Sequence, residues 1–222
     1  MRKIIFAFTV ILLMAVTCVT SQVFAQSTGK VLMIPREGYS TDLDLMLKME
    51  VGVMTTLLKQ AGFQVDVATM SGQPILGPTQ KIDQVLRLSE VDLGNYAGII
   101  MPCMAVGMFP GPPVSAEAVA LVKKAVQEGK PVAAASNASS ILAEAGLLKG
   151  KKYAYFQDPL TPGATIKRTD LRYEGGIYSG DGVVQDGNII TSGVCPILER
   201  VYGKQNGTVE LTRAFITSLR SK

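Results

Sequence analysis

Short apolar runs rich in Val, Ile and Ala recur along the chain at 30–34, 64–68, 97–101, 132–135, 153–156 and 188–192, and each reads as a strand. Between several of them the apolar positions shift to helical spacing. Leu47, Val51, Met54, Leu57, Leu58 and Ala61 share one face of a helix predicted over 45–61, which stops at Gly62. A second helix is expected over 114–127, opened by Ser115 with Glu117 behind it and closed by Gly129. A third over 138–145 ends at Gly146, and a last one covers 208–219. Parallel neighbours need crossovers, so strands alternating with helices of this length predict an α/β three-layer sandwich. Its sheet is mostly parallel, with helices on both faces.

Two segments break the alternation. Residues 104–113, MAVGMFPGPP, are apolar and rich in Gly and Pro, and are expected to form a lid or rim at the end of a strand. Met108 and Phe109 there read as loop packing, with contact to a ligand or second subunit as the alternative. Residues 157–182 are also loop-rich, and Tyr173 and Tyr178 within them stand as packing or binding groups.

The most informative stretch is 130–148, KPVAAASNASSILAEAGLL. An apolar strand ending at Ala135 runs straight into a helix, leaving Ser136-Asn137 at the junction. So short a turn lifts one side chain above the sheet edge and points helix amides at whatever sits there, as in a nucleophile elbow. The lifted residue is expected to be Ser136.

This stretch resembles the elbow of the ThiJ/PfpI family, part of the class I glutamine amidotransferase-like superfamily. Ala145-Gly146-Leu147-Leu148-Lys149-Gly150-Lys151 matches the family's recurring tail. That register places the family's nucleophilic cysteine at Ser136 and its following histidine at Asn137. The Ala61-Gly62 turn, in the family's A-G-x-x-V pattern, places its acidic residue at Glu50. Where the family commonly has a Gly-Gly pair shaping an oxyanion pocket, this chain has Cys103-Met104. Residues 186–193 resemble the last core strand, so the likeness spans most of 30–219. It implies a flavodoxin-like fold, a centre at Ser136 and Glu50, ligand contacts from Asn137, Cys103 and Met104, and a homodimer.

Arg2 and Lys3, the apolar run 4–16 and the ending Val23-Phe24-Ala25 have the three regions of a secretory signal peptide, with cleavage expected after Ala25. An uncleaved anchor is the alternative. Nothing later approaches eighteen consecutive apolar residues, so no integral membrane span is expected after cleavage. Removing 25 of 222 residues leaves 197, which one domain over 26–222 fills, in a periplasmic or secreted setting. The removed segment holds two of the 22 basic residues and no acidic one, so the remainder carries 20 − 18 = +2. With no Trp and no long basic run, nucleic acid is not expected as a partner.

The chain has no histidine, which excludes Ser-His and Cys-His chemistry within one chain. A carboxylate at Glu50 could serve Ser136 as a general base if ionised and well placed. Otherwise it would hold the turn together by hydrogen bonding the Ser136 hydroxyl and the elbow amides. Asn137 could grip a carbonyl or carboxylate of a small polar molecule, or cap the elbow helix. Cys103 stands either as a displaced nucleophile or as inert packing. Cys103 and Cys195, the cysteines left after cleavage, are a possible disulfide or two separate small side chains. Dispersed cysteines and carboxylates make no ligand set, so neither metal nor cofactor is expected. Three functions are compatible with these residues. The first is a non-catalytic binding or assembly protein, a pseudoenzyme. The second is a hydrolase, glyoxalase or hydratase using Ser136 with Glu50. The third is a redox or stress protein using Cys103 and Cys195.

Overall fold

The computed structural model describes residues 29–37, 42–103, 115–156 and 170–221. The expected signal peptide, the 104–113 lid with Met104, Met108 and Phe109, and residues 157–169 lie outside these.

Eleven strands occur among the described residues. They are β1 (Lys30–Met33), β2 (Gln64–Thr69), β3 (Ile75–Leu76), β4 (Lys81–Ile82), β5 (Leu86–Arg87) and β6 (Tyr96–Met101), then β7 (Val132–Ala135), β8 (Lys152–Tyr153), β9 (Ile177–Tyr178), β10 (Val183–Asp186) and β11 (Ile189–Ser192). Helix α1 (Leu43–Met46) continues through a π turn (Leu47–Val51) into α2 (Gly52–Gln60). Helices α3 (Ala116–Gln127), α4 (Ser139–Glu144), α5 (Pro196–Tyr202) and α6 (Thr208–Arg220) follow. The main sheet has seven strands in the order β10-β11-β7-β6-β1-β2-β5. Every neighbouring pair is parallel except β10 and β11. This is the mostly parallel α/β architecture that the alternation predicts.

The period of two along each central strand builds two cores. Leu32, Ile34, Ile99, Met101, Val132 and Ala134 face one side, against Ala118, Val122 and Ala125 of α3 and Ile141 and Leu142 of α4. Val31, Met33, Ile100, Ala133 and Ala135 face the other, against Met54 and Leu58 of α2 and Leu211 and Phe215 of α6. Strands buried on both faces have no polar alternation to show, which is why 132–135 reads as a solid apolar run. Each large apolar side chain removed from water here contributes about 1.5–3 kcal/mol. Alanines in β7 and Gly98 in β6 let α6 approach closely: a Cβ at Gly98 would stand 3.0 Å from both Phe215 and Leu219.

Local chemistry sets the ends of elements as expected in several places. The Ser115 hydroxyl accepts the Ala118 N–H at 3.2 Å and caps α3. Gly146, with φ +70°, follows the last turn of α4. Two expectations are corrected. Residues 153–156 do not join the main sheet: β8 covers Lys152–Tyr153 and pairs with β9 in a separate parallel ribbon. Within the 157–182 segment read as loop, Ile177–Tyr178 forms that ribbon's second strand, and just beyond the segment Val183–Asp186 forms an edge strand that turns back on β11 through Gly187-Asn188. Gly187, at φ +63°, supplies the positive φ that such a two-residue hairpin loop needs. Among the described residues no helix is long and apolar enough to cross a membrane.

Candidate functional site

In a parallel sheet, side chains that follow strand ends gather along one carboxyl edge. Here β11, β7, β6 and β1 are consecutive neighbours, and the residues just past them are Cys195, Ser136, Cys103 and Arg36. Glu50 reaches the same region from the π turn. All five are buried.

Ser136 has φ +48°, the one positive φ at a non-glycine among the described residues. The left-handed region is unfavourable for an L side chain, so the elbow holds backbone strain at the residue the sequence singles out. The turn is fixed by hydroxyls from the helix that follows. Ser139 Oγ donates to the Ser136 carbonyl at 2.8 Å and Ser140 Oγ to the Asn137 carbonyl at 2.7 Å. The Ser136 hydroxyl makes no hydrogen bond among the described residues.

Glu50 sits in the apolar stripe of its helix, between Met46, Leu47 and Val51, and is fully buried. Its carboxyl does not bond the Ser136 hydroxyl. Glu50 Oε2 instead accepts the backbone N–H of Cys103 at 3.1 Å, and Oε1 has no partner among the described residues. Burial, helped by repulsion from the Cys103 thiol, pushes the Glu50 pKa well above the usual carboxylate range and favours the neutral acid. The π turn is made by the Gly52 N–H bonding the Leu47 carbonyl five residues back. A Cβ at Gly52 would stand 3.0 Å from that oxygen, which explains a glycine inside this helix.

Asn137 does not cap the elbow helix, which has no side-chain cap. Its Oδ1 accepts the Tyr155 hydroxyl at 2.9 Å. Tyr155 is buried, and burial first, then the nearby Cys103 and Asp170, raise its pKa. It therefore acts as a hydroxyl donor that orients the Asn137 amide. Tyr155 in turn stacks edge-on against Tyr173, with centroids 5.4 Å apart, and the Tyr173 hydroxyl lies 2.9 Å from Ser139 Oγ. Tyr173 thus packs, and Tyr178 lies edge-on to Tyr153 at 6.1 Å. Arg36, 4% exposed, pairs with Asp42 at 2.6 Å.

Cys103 and Cys195 are thiols rather than a disulfide, yet they are not separate. They share a small buried cluster with Met46. A hydrogen bond from Cys103 lowers the Cys195 pKa; burial and Glu50 oppose it, and the amides of Leu198 and Ile197 assist it. The structure therefore joins Glu50 to Cys103 and Cys103 to Cys195, and separately joins Asn137 to Tyr155. Sequence reasoning missed Tyr155 and Arg36. An arginine three residues past the first strand was the available signal for Arg36; Tyr155 was hidden in an apparent strand. Among the described residues no cluster of three His, Cys, Asp or Glu could hold a metal. An open depression of about 910 Å³ lined by Thr55, Lys59, Asp66 and Lys81 touches Leu47, Val51 and Gly52 of the π turn but contains none of Arg36, Glu50, Cys103, Ser136, Asn137, Tyr155 or Cys195.

The profile of the DJ-1/PfpI family matches residues 41–199. The chain belongs to the DJ-1/PfpI family. It is 32% identical over 167 residues to Deglycase TK1284 of Thermococcus kodakarensis, covering 73% of this chain and 89% of the relative. An uncharacterized protein of Archaeoglobus fulgidus is also 32% identical, over 137 residues, covering 61% of this chain and 75% of that protein. Among solved structures, the ThiJ/PfpI domain protein from Brachyspira murdochii superposes with a TM-score of 0.65 at 16% identity, covering 89% of this chain and 99% of that one. Drosophila melanogaster DJ-1beta gives 0.55 at 22% identity, covering 86% and 97%. These two likenesses concern the fold.

Proposed function

We propose that this DJ-1/PfpI domain binds a small polar molecule at the elbow without nucleophilic turnover. The observation that carries the reading is Glu50: fully buried, it spends Oε2 on the Cys103 amide rather than the Ser136 hydroxyl, and burial favours its neutral form, which makes it a poor base for Ser136. The chain has no histidine to replace it. What remains is suited to holding a carbonyl or carboxylate: the Ser136 hydroxyl, the Asn137 amide fixed by Tyr155, and the amides that open the elbow helix. The N-terminal pattern of Arg2, Lys3 and an apolar run over 4–16 supports export, and the commonness of symmetric pairs supports a homodimer.

A second reading is favoured by the 32% identity to a deglycase and by the strained backbone of Ser136. In it Ser136 attacks a small carbonyl compound and Glu50, once ionised, takes its proton. One experiment separates the two: consumption of methylglyoxal and of a small ester and amide panel by wild type, Ser136→Ala and Ser136→Cys, beside thermal-shift binding of small carboxylates. Binding without wild-type turnover, with activity gained only by Ser136→Cys, supports the non-catalytic reading. Wild-type turnover abolished in Ser136→Ala overturns it.

A further inference from the structure

The two thiols have no part in the ligand site proposed at the elbow, and their arrangement has its own chemistry. Cys103 follows β6 and Cys195 follows β11, strand ends separated by β7, so only the loops beyond the sheet bring the sulfurs together. They meet in a cluster of their own with Met46, buried to 0% and 1% exposure. We propose that Cys103 and Cys195 form a redox-active dithiol that a small hydroperoxide converts to an intramolecular disulfide.

The two thiols pack together in one buried cluster and interact with each other, and closing the bond removes two hydrogens. The two sulfurs have unequal roles. Cys195 receives the hydrogen bond from Cys103 and the amides of Leu198 and Ile197, which stabilise its thiolate and make it the attacking sulfur. Cys103, next to the Glu50 carboxyl, is the resolving thiol. The Cys195 sulfur attacks one oxygen of the hydroperoxide, the O–O bond breaks, and the departing alkoxide or hydroxide takes a proton to leave as alcohol or water. Cys195 is then a sulfenic acid. The Cys103 sulfur attacks the Cys195 sulfur, the S–O bond breaks, and hydroxide leaves with the Cys103 proton as water. Two thiols and one hydroperoxide give one disulfide, one alcohol (water, from hydrogen peroxide) and one water. Glu50, with Oε1 unpartnered among the described residues and its pKa raised, is a buried acid in contact with the pair that can supply the first proton. Burial limits the oxidant to a molecule of hydrogen peroxide's size and excludes a bulky disulfide substrate.

The test uses the reduced full-length chain, which has three cysteines, titrated with hydrogen peroxide and then denatured in a maleimide for intact-mass and peptide mapping. The expected result is loss of two alkylatable thiols per peroxide and a linked peptide pair containing Cys103 and Cys195, restored by dithiothreitol. Cys103→Ser should leave Cys195 as a sulfenic acid trapped by dimedone, whereas Cys195→Ser should leave Cys103 alkylatable. Isolation of wild type with the 103–195 link already formed also supports the proposal. Full alkylation of Cys103 and Cys195 after peroxide, oxygen addition to each without a link, or a link only through Cys18 overturns it.

Discussion

Replacing Ser136 by glycine isolates the strain at the elbow. Ser136 has φ +48° and is 3% exposed, and its hydroxyl makes no hydrogen bond among the described residues. A left-handed conformation costs an L residue about 1–2 kcal/mol, and glycine removes that term. The freer unfolded chain of the glycine variant takes back about 0.4–1 kcal/mol. Taking the midpoints, the net expectation is a gain of about 0.8 kcal/mol, or roughly 2–3 °C in Tm at about 2–4 °C per kcal/mol for a chain of this size. Ser136→Ala keeps both Cβ and the strained φ, so it should stay within about 0.5 kcal/mol of wild type. Urea denaturation of the three proteins, compared by midpoint at unchanged slope, measures the order. Glycine should rank above both, while binding at the elbow weakens through loss of the hydroxyl. A glycine variant no more stable than the alanine variant refutes the strain argument.

Other expectations follow from the site. Glu50→Gln should flatten the pH dependence of stability: at pH below the unfolded carboxyl value both states are protonated. Above about 4.5, the ordinary value, the unfolded chain releases a proton that the folded state retains, so wild type loses up to about 1.4 kcal/mol per pH unit until the raised folded pKa is passed. Denaturant melts from pH 4 upward check this, and a wild-type curve parallel to the Gln variant's sinks it. Tyr155→Phe removes the donor to Asn137 Oδ1 and should cost about 1 kcal/mol together with some ligand affinity; unchanged stability and binding contradict that role. Gly52→Ala, which in an ordinary helix interior gains about 1 kcal/mol, should gain nothing because its Cβ meets the Leu47 carbonyl at 3.0 Å. A thermal melt showing the full gain would mean that the π turn does not require glycine.

The sequence by itself determined the layered architecture and the position of the elbow. A strand buried on both faces must be apolar throughout and a helix on one face must repeat near 3.6, so 30–34, 97–101, 132–135 and the helices between them announce themselves locally. Ser136 was legible because an apolar strand running into a helix leaves room for one lifted residue. Glu50 was legible through its register with the Ala61-Gly62 turn, and the structure adds that it is fully buried in the apolar stripe of its helix. What Glu50 bonds to was decided by tertiary structure. Its contact with the Cys103 amide spans 53 positions, and the Tyr155 bond to Asn137 joins a separate ribbon to the elbow. The meeting of Cys103 with Cys195 depends on the strand order β11-β7-β6 and on the loops beyond it. Periodicity encodes which face of an element is buried, and only the packing of the whole sheet fixes which strand ends become neighbours. The edge strand β10 shows the same limit. Its partly buried residues carry little apolar signal, and pairing with β11 across the Gly187 turn makes it a strand.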